Sequence, residues 1–179
     1  MIDSNLVIAV PLISLLGVAT WTDLVDRRIP NGLSLGGAIL GFATHAYLFG
    51  AAGFGLALLG WGFCLACFLP LYRSGGLAAG DVKLMAMVGA FLGPVNGFVA
   101  VLLTLVAGAL VASLCVAWTG LRNRIGALRW AGLANDLQGA STGHVVEKIP
   151  YAVAINLGSV ATLLQPEWLA TLLPLEVLQ

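Results

Sequence analysis

Charged side chains are scarce in this sequence of 179 residues: 9% are charged and 60% are hydrophobic, and the mean hydropathy is +1.00. A soluble domain carries about 25% charged residues, so this chain has too few to cover a surface that faces water. Its formal net charge is zero, which argues against a nucleic-acid partner. The composition predicts one domain, 1–179, whose solvent is the lipid bilayer.

Residues that bind metals or act as nucleophiles are also few, with three cysteines and two histidines. Cys64 and Cys67 form a C-x-x-C pattern, but it lies inside an apolar run and indicates two small apolar residues on one helix face. A zinc site would need two more ligands at suitable spacing, and none is apparent. No Ser–His–Asp set is recognisable either. We therefore predict neither a metal nor a cofactor.

Long apolar runs are what the chain has in abundance, and a membrane-spanning helix needs about 20 such residues. The fourth run is short because Gly93-Pro94 interrupts it. No Lys or Arg precedes the first run, so we interpret it as a retained helix rather than a cleaved signal peptide. The prediction is an all-α integral membrane protein, a bundle of six transmembrane helices with a short fourth one. The predicted spans are 6–22, 32–49, 51–72, 82–92, 98–118 and 149–164.

The basic residues predict the orientation, because Lys and Arg are enriched in short cytoplasmic loops. All eight lie in or beside three breaks, 23–31, 73–81 and 119–148, and the other links and both termini contain none. We expect these three breaks in the cytoplasm and both termini on the opposite side. Within the longest break, 121–146 fits either an interfacial helix or a solvated loop.

Two aspartates stand at the edges of runs on that cytoplasmic side, Asp23 after the first run and Asp81 before the fourth. A carboxylate at membrane depth is costly and is a functional candidate, although one at a helix end can also cap the helix or reach water. A helix N-terminus at Asp81 favours the ionised carboxylate and a C-terminus at Asp23 disfavours it. If the two side chains meet, they share one proton and can hydrolyse a peptide bond without a metal.

Three blocks in this order are similar to motifs of the type IV prepilin peptidase family of membrane aspartic proteases. They are Thr-Asp-Leu-Val-Asp-Arg-Arg-Ile-Pro-Asn at 22–31, Gly-Gly-Leu-Ala-Ala-Gly-Asp-Val-Lys-Leu at 75–84 and Lys-Ile-Pro-Tyr-Ala-Val-Ala-Ile at 148–155. The resemblance implies that Asp23 and Asp81 are catalytic and that Gly80, Ala78 and Lys83 belong to the supporting loop. Ala78 departs from the family's usual Gly-x-Gly-Asp, in which the first glycine permits a close backbone approach. Lys83 would balance Asp81 or bind lipid headgroups.

What the resemblance implies about function is specific. A prepilin or pseudopilin precursor would lose its short basic leader at the cytoplasmic face of a bacterial inner membrane, in pilus biogenesis or protein secretion. The short length resembles the Tad/Flp-type branch. The cysteine-bearing cytoplasmic region of the longer branch is absent from this sequence, so methyltransferase activity is not expected.

Three other functions remain open from the residues. A non-catalytic assembly component of the same fold would bind a precursor without cleaving it. A proton-coupled transporter would place its carboxylates near the bilayer midplane, whereas these lie at helix ends. A relative of presenilin-type proteases would cut within the membrane span of its substrate, so the position of the cut separates the two peptidases.

Overall fold

A computed structural model describes residues 4–26, 28–130 and 151–164, which form four helices and no β-strand. Three helices contain stretches long and apolar enough to cross a membrane, and the fourth is apolar but shorter. The predicted all-α class is therefore confirmed, and the chain is a multi-pass membrane protein. The helices are α1 (Ser4–Asp26), α2 (Asn31–Arg73), α3 (Ala79–Trp130) and α4 (Tyr151–Leu164).

Helix α2 reverses direction at Gly50. This residue has φ +65° and ψ −149°, a conformation that glycine adopts without the steric cost of a side chain. The ring centroids of Phe42 and Trp61 are 6.4 Å apart, although a straight helix would separate these residues by about 28 Å. The segments 31–49 and 51–73 are therefore two limbs of one helical hairpin.

Helix α3 contains a similar break at Gly93, which has φ +73° and precedes Pro94. Cys64 packs against Gly89 before the break and against Gly97 after it, so the two parts of α3 approach each other. Next to the break, buried His45 binds the Phe91 carbonyl oxygen through Nε2 at 2.7 Å. Because a carbonyl only accepts hydrogen bonds, Nε2 carries the proton.

Six separate helices were predicted, whereas the described residues form four. The second and third predicted spans together form α2, and the fourth and fifth form α3, because a single glycine turns each chain segment without an intervening loop. Helix α3 also continues to Trp130, so the first part of the predicted loop 119–148 is helical. The choice between an interfacial helix and a loop for 131–146 lies outside the described residues.

The first part of α3 forms the centre of the core, since every residue from 84 to 91 is buried. A helix buried on all faces belongs to the interior of a bundle, which explains why this short run is uniformly apolar. Helices α1 and α2 instead expose large apolar side chains, among them Trp21 at 70% and Leu35 at 66%. Such surfaces suit contact with lipid rather than with water.

Small residues allow α2 to cross α3 closely. A Cβ atom added at Gly60 would collide with the carbonyl oxygen of Gly89, and one at Gly89 would collide with that of Gly60. Cys64 lies one turn further along α2 and is fully buried, as expected for a small apolar residue. Contacts within the chain define two compact units, Met1–Gly108 with Pro150–Gln179, and Ala109–Ile149. Both aspartates lie in the first unit.

Candidate active site

Asp81 lies in the first turn of α3, which begins at Ala79 rather than at the predicted residue 82, and its side chain is 6% exposed. The backbone N–H of Ala78, immediately before the helix, donates a hydrogen bond to Asp81 Oδ2 at 3.1 Å. In return the N–H of Asp81 donates to the Ala78 carbonyl oxygen, also at 3.1 Å. This reciprocal pair fixes the carboxyl group at a helix N-terminus, where the helix dipole favours a negative charge.

Ala78 contributes to this site through its backbone. The N–H that binds Asp81 is a group that every residue except proline supplies. Ala78 is exposed, so its methyl group has room. Alanine in place of the usual glycine therefore keeps the contact with Asp81.

Gly80 and Lys83 connect the start of α3 with the segment that links α1 to α2. A Cβ atom at Gly80 would lie only 3.2 Å from the Cβ atom of Ile29, so the glycine lets Ile29 pack beside the turn that carries Asp81. The exposed Lys83 donates from Nζ to Asn31 Oδ1 at 2.9 Å. Lys83 thus has a protein partner that the sequence did not suggest.

Asp23 lies in the last turn of α1, where the hydropathy pattern placed the start of a loop. Its side chain is half-buried, and its Oδ2 atom is buried with no hydrogen-bond partner among the residues that the structure describes. A buried carboxylate oxygen without a donor is costly. Oδ2 is therefore an acceptor that a shared proton or a bound water would satisfy.

The structure places the two carboxyl groups within electrostatic range of each other. Asp23 and Asp81 are 58 positions apart in the sequence, yet the charge of Asp23 acts on the Asp81 carboxyl group. The surroundings of the two groups differ, since Asp81 accepts a backbone N–H, whereas Asp23 Oδ2 accepts no hydrogen bond from the described part of the chain. Two neighbouring carboxyl groups in unlike surroundings are suited to general acid–base chemistry on a water molecule.

Tyr151, the first residue of α4, is a member of the site that sequence reasoning did not single out. Its hydroxyl group interacts electrostatically with Asp81, and its ring packs edge-on against Phe68 with centroids 6.4 Å apart. Further along α4, Asn156 Nδ2 donates to Thr20 Oγ1 at 3.0 Å and so joins α4 to the helix of Asp23. The signal in the sequence was the position of Tyr151 directly after Ile149-Pro150.

Within the ranges that the structure describes, no group of three or more His, Cys, Asp or Glu side chains is assembled that could hold a metal ion.

Comparison with known proteins identifies a family for this chain but no individual relative. No curated protein and no solved structure matches the chain significantly. The model of the type IV leader peptidase family matches residues 10–113, more than half of the chain. This stretch includes both aspartates, the Ala78–Asp81 turn and Lys83. On this match, the chain belongs to the type IV leader peptidase family.

Proposed function

We propose that this protein is an aspartic endopeptidase that removes the leader of type IV prepilins, of the Flp-like kind, at the cytoplasmic face of a bacterial inner membrane. The observation that carries the proposal is the interaction between Asp23 and Asp81, which stand on different helices of a chain from a leader peptidase family. Each is half-buried or buried, as a site that excludes bulk water requires.

The proposed reaction needs only the two carboxyl groups and one water molecule. An ionised carboxylate removes a proton from the water while its oxygen attacks the scissile carbonyl carbon. The other carboxyl, protonated, gives its proton to the carbonyl oxygen. The tetrahedral intermediate then collapses: one of its hydroxyl groups returns a proton to the carboxylate that had given one, the C–N bond breaks, and the departing amine takes the proton that the other carboxyl group received from water. One new carboxyl group and one new amine are formed.

The proposed topology has six crossings, one for each limb of α2, one for each part of α3, and one each for α1 and α4. The reversal at Gly50 supports this, because it returns the chain to the level where α2 began. The contacts of Ile29 with Gly80 and of Asn31 with Lys83 place the start of α2 beside the start of α3. Both aspartates then lie at one membrane face, and the basic residues near them indicate the cytoplasmic one.

A site at a helix end suits a substrate whose cleavage point lies next to an apolar segment. The substrate helix would lie in lipid against the exposed apolar faces of the bundle, and its leader would reach the polar edge that holds both aspartates. Cleavage before the apolar segment, rather than within it, follows from this depth. Pilus biogenesis and type II-like secretion are the processes that consume such products.

Co-expression with candidate prepilins tests the proposal. We expect Asp23→Asn and Asp81→Asn each to lower leader removal by about 10²–10⁴-fold, because each removes a group that transfers a proton. Asp26→Asn is the matched control, since Asp26 is exposed and lies on the same helix turn as Asp23. It should cleave within about twofold of wild type.

The readouts are leader removal by mass shift, the sequence of the new N-terminus, and the amount of inserted protein. Normal processing by either catalytic Asn variant would refute the two-aspartate site. Binding of precursors without cleavage by the wild type would instead favour an assembly component, and a cut inside the apolar segment would favour presenilin-type chemistry.

A further inference from the structure

Tyr151 is held in place by two neighbours that leave its ring little freedom. Phe68 contacts the ring edge-on at an interplanar angle of 70°. On another side, a Cβ atom at Gly108 would lie 2.5 Å from the Tyr151 hydroxyl oxygen and 2.6 Å from Cε2. Only a glycine at 108 therefore leaves space for this ring, and the position of the hydroxyl group is set by packing.

The hydroxyl group of Tyr151 lies within electrostatic range of Asp81, and it makes no hydrogen bond to any residue that the structure describes. The ring is only half-buried, so the hydroxyl group is not sealed in the core. A phenol O–H is a good donor, and among the described residues the Asp81 carboxyl group accepts a hydrogen bond only from the Ala78 N–H.

Helix α4 begins at Tyr151 and is bonded to the helix of Asp23. Further along α4, Asn156 binds Thr20 on α1, three residues before Asp23. Tyr151 also packs against the buried core that contains Val82, the residue after Asp81. If packing alone explained this tyrosine, phenylalanine would serve equally well at 151.

We propose that Tyr151 is a positioning residue for Asp81: in the substrate complex its hydroxyl group donates a hydrogen bond to the Asp81 carboxyl and turns it toward the attacking water. Hydrogen bonds of catalytic groups are often long in free enzymes and shorten when substrate binds. This inference rests on the proposed function, because it assigns Tyr151 a part in the two-aspartate reaction.

The test compares Tyr151→Phe with Tyr47→Phe in membranes that carry a prepilin substrate. Tyr151→Phe removes one hydroxyl group and keeps the ring beside Phe68 and Gly108. Tyr47 is 86% exposed, so the same change there is the matched control. We expect Tyr151→Phe to lower kcat on the order of 10-fold with KM unchanged, which is the mark of an interaction made in the transition state.

A second variant moves the hydroxyl group without removing it. Gly108→Ala places a methyl group against the Tyr151 hydroxyl, and alanine favours the helix. We expect a similar loss of kcat with normal insertion. Agreement between the two variants would support the role of the hydroxyl group.

Different failures are distinguishable. If the wild type cleaves and Tyr151→Phe matches it within about twofold, the inference is wrong and the proposed function stands. If Tyr151→Phe lowers the thermal midpoint or raises KM while kcat is kept, Tyr151 is a packing residue and the inference is again wrong. If the wild type itself removes no leader, the proposed function fails and this inference fails with it.

Discussion

The helix that carries Asp81 and the helix that carries Asp23 differ in how much protein surrounds them. Asp81 begins a stretch of α3 in which every residue from 84 to 91 is buried, and its carboxyl group accepts a backbone N–H. Asp23 lies in the last turn of α1, where Leu24, Val25 and Asp26 are all exposed, and its Oδ2 atom has no hydrogen-bond partner within the ranges that the structure describes.

This difference suggests that the two halves of the site, Asp81 with the start of α3 and Asp23 with the end of α1, differ in rigidity. The Asp81 half is built before a substrate arrives, since its helix is enclosed and its carboxyl group is anchored. The Asp23 half is fixed by fewer contacts, so substrate binding has more freedom to adjust it. Changes in the core around α3 should therefore cost more than changes at the surface contacts that join the two halves.

The largest effect is expected where α2 crosses the Asp81 helix. Gly60→Leu would push its side chain into the backbone of Gly89 and Gly93, which cannot move aside independently. Overpacking of this kind costs about 1–3 kcal/mol and occasionally more, and the shift of α3 would also displace Asp81. We expect a lower thermal midpoint in detergent together with loss of leader removal.

Gly62→Leu is the matched control for Gly60→Leu. Gly62 lies two residues away on the same helix, and a Cβ atom there meets nothing within 4 Å. It should insert and cleave like the wild type. Equal behaviour of the two variants would show that the crossing of α2 and α3 does not hold the Asp81 half rigid.

An intermediate effect is expected at the backbone anchor of Asp81. Ala78→Pro removes the N–H that donates to Asp81 Oδ2, and a hydrogen bond to a charged group contributes about 1.5–3 kcal/mol. We expect turnover to fall by about 10–100-fold. Ala78→Gly keeps the N–H and should remain within about twofold of the wild type. Unimpaired turnover in Ala78→Pro would mean that Asp81 needs no backbone anchor.

Local sequence patterns predicted the chain reversals and one helix start. Gly50 and Gly93-Pro94 marked the chain reversals, because these residues break helices through their own backbone. The position of Asp81 at a helix N-terminus followed from local pattern as well. Helix ends were less accurate, since α1 runs to Asp26 and α3 to Trp130, and polar residues continue a helix that hydropathy alone would end.

Contacts between distant residues lay beyond the sequence. Nothing local to Tyr151 indicates that Gly108 leaves room for its ring or that Asp81 is its neighbour. The bond between Lys83 and Asn31 was missed for the same reason, because 52 positions separate the two residues. The convergence of Asp23 and Asp81 was inferred only from the predicted alternation of the spans.

The smallest effect is expected at the hydrogen bond between Lys83 and Asn31, which joins the segment after Asp23 to the Asp81 helix. Lys83→Met removes the hydrogen bond to Asn31 and keeps most of the apolar stem. Because Lys83 is exposed, water replaces the lost partner, and the cost should be about 0.5–1 kcal/mol, equivalent to a two- to fivefold loss of turnover. Lys83→Arg keeps a donor and should lose less. A loss above about 20-fold in Lys83→Met would contradict the proposed difference in rigidity between the two halves. It would mean that Lys83 acts on the reacting groups rather than on the position of the segment after Asp23.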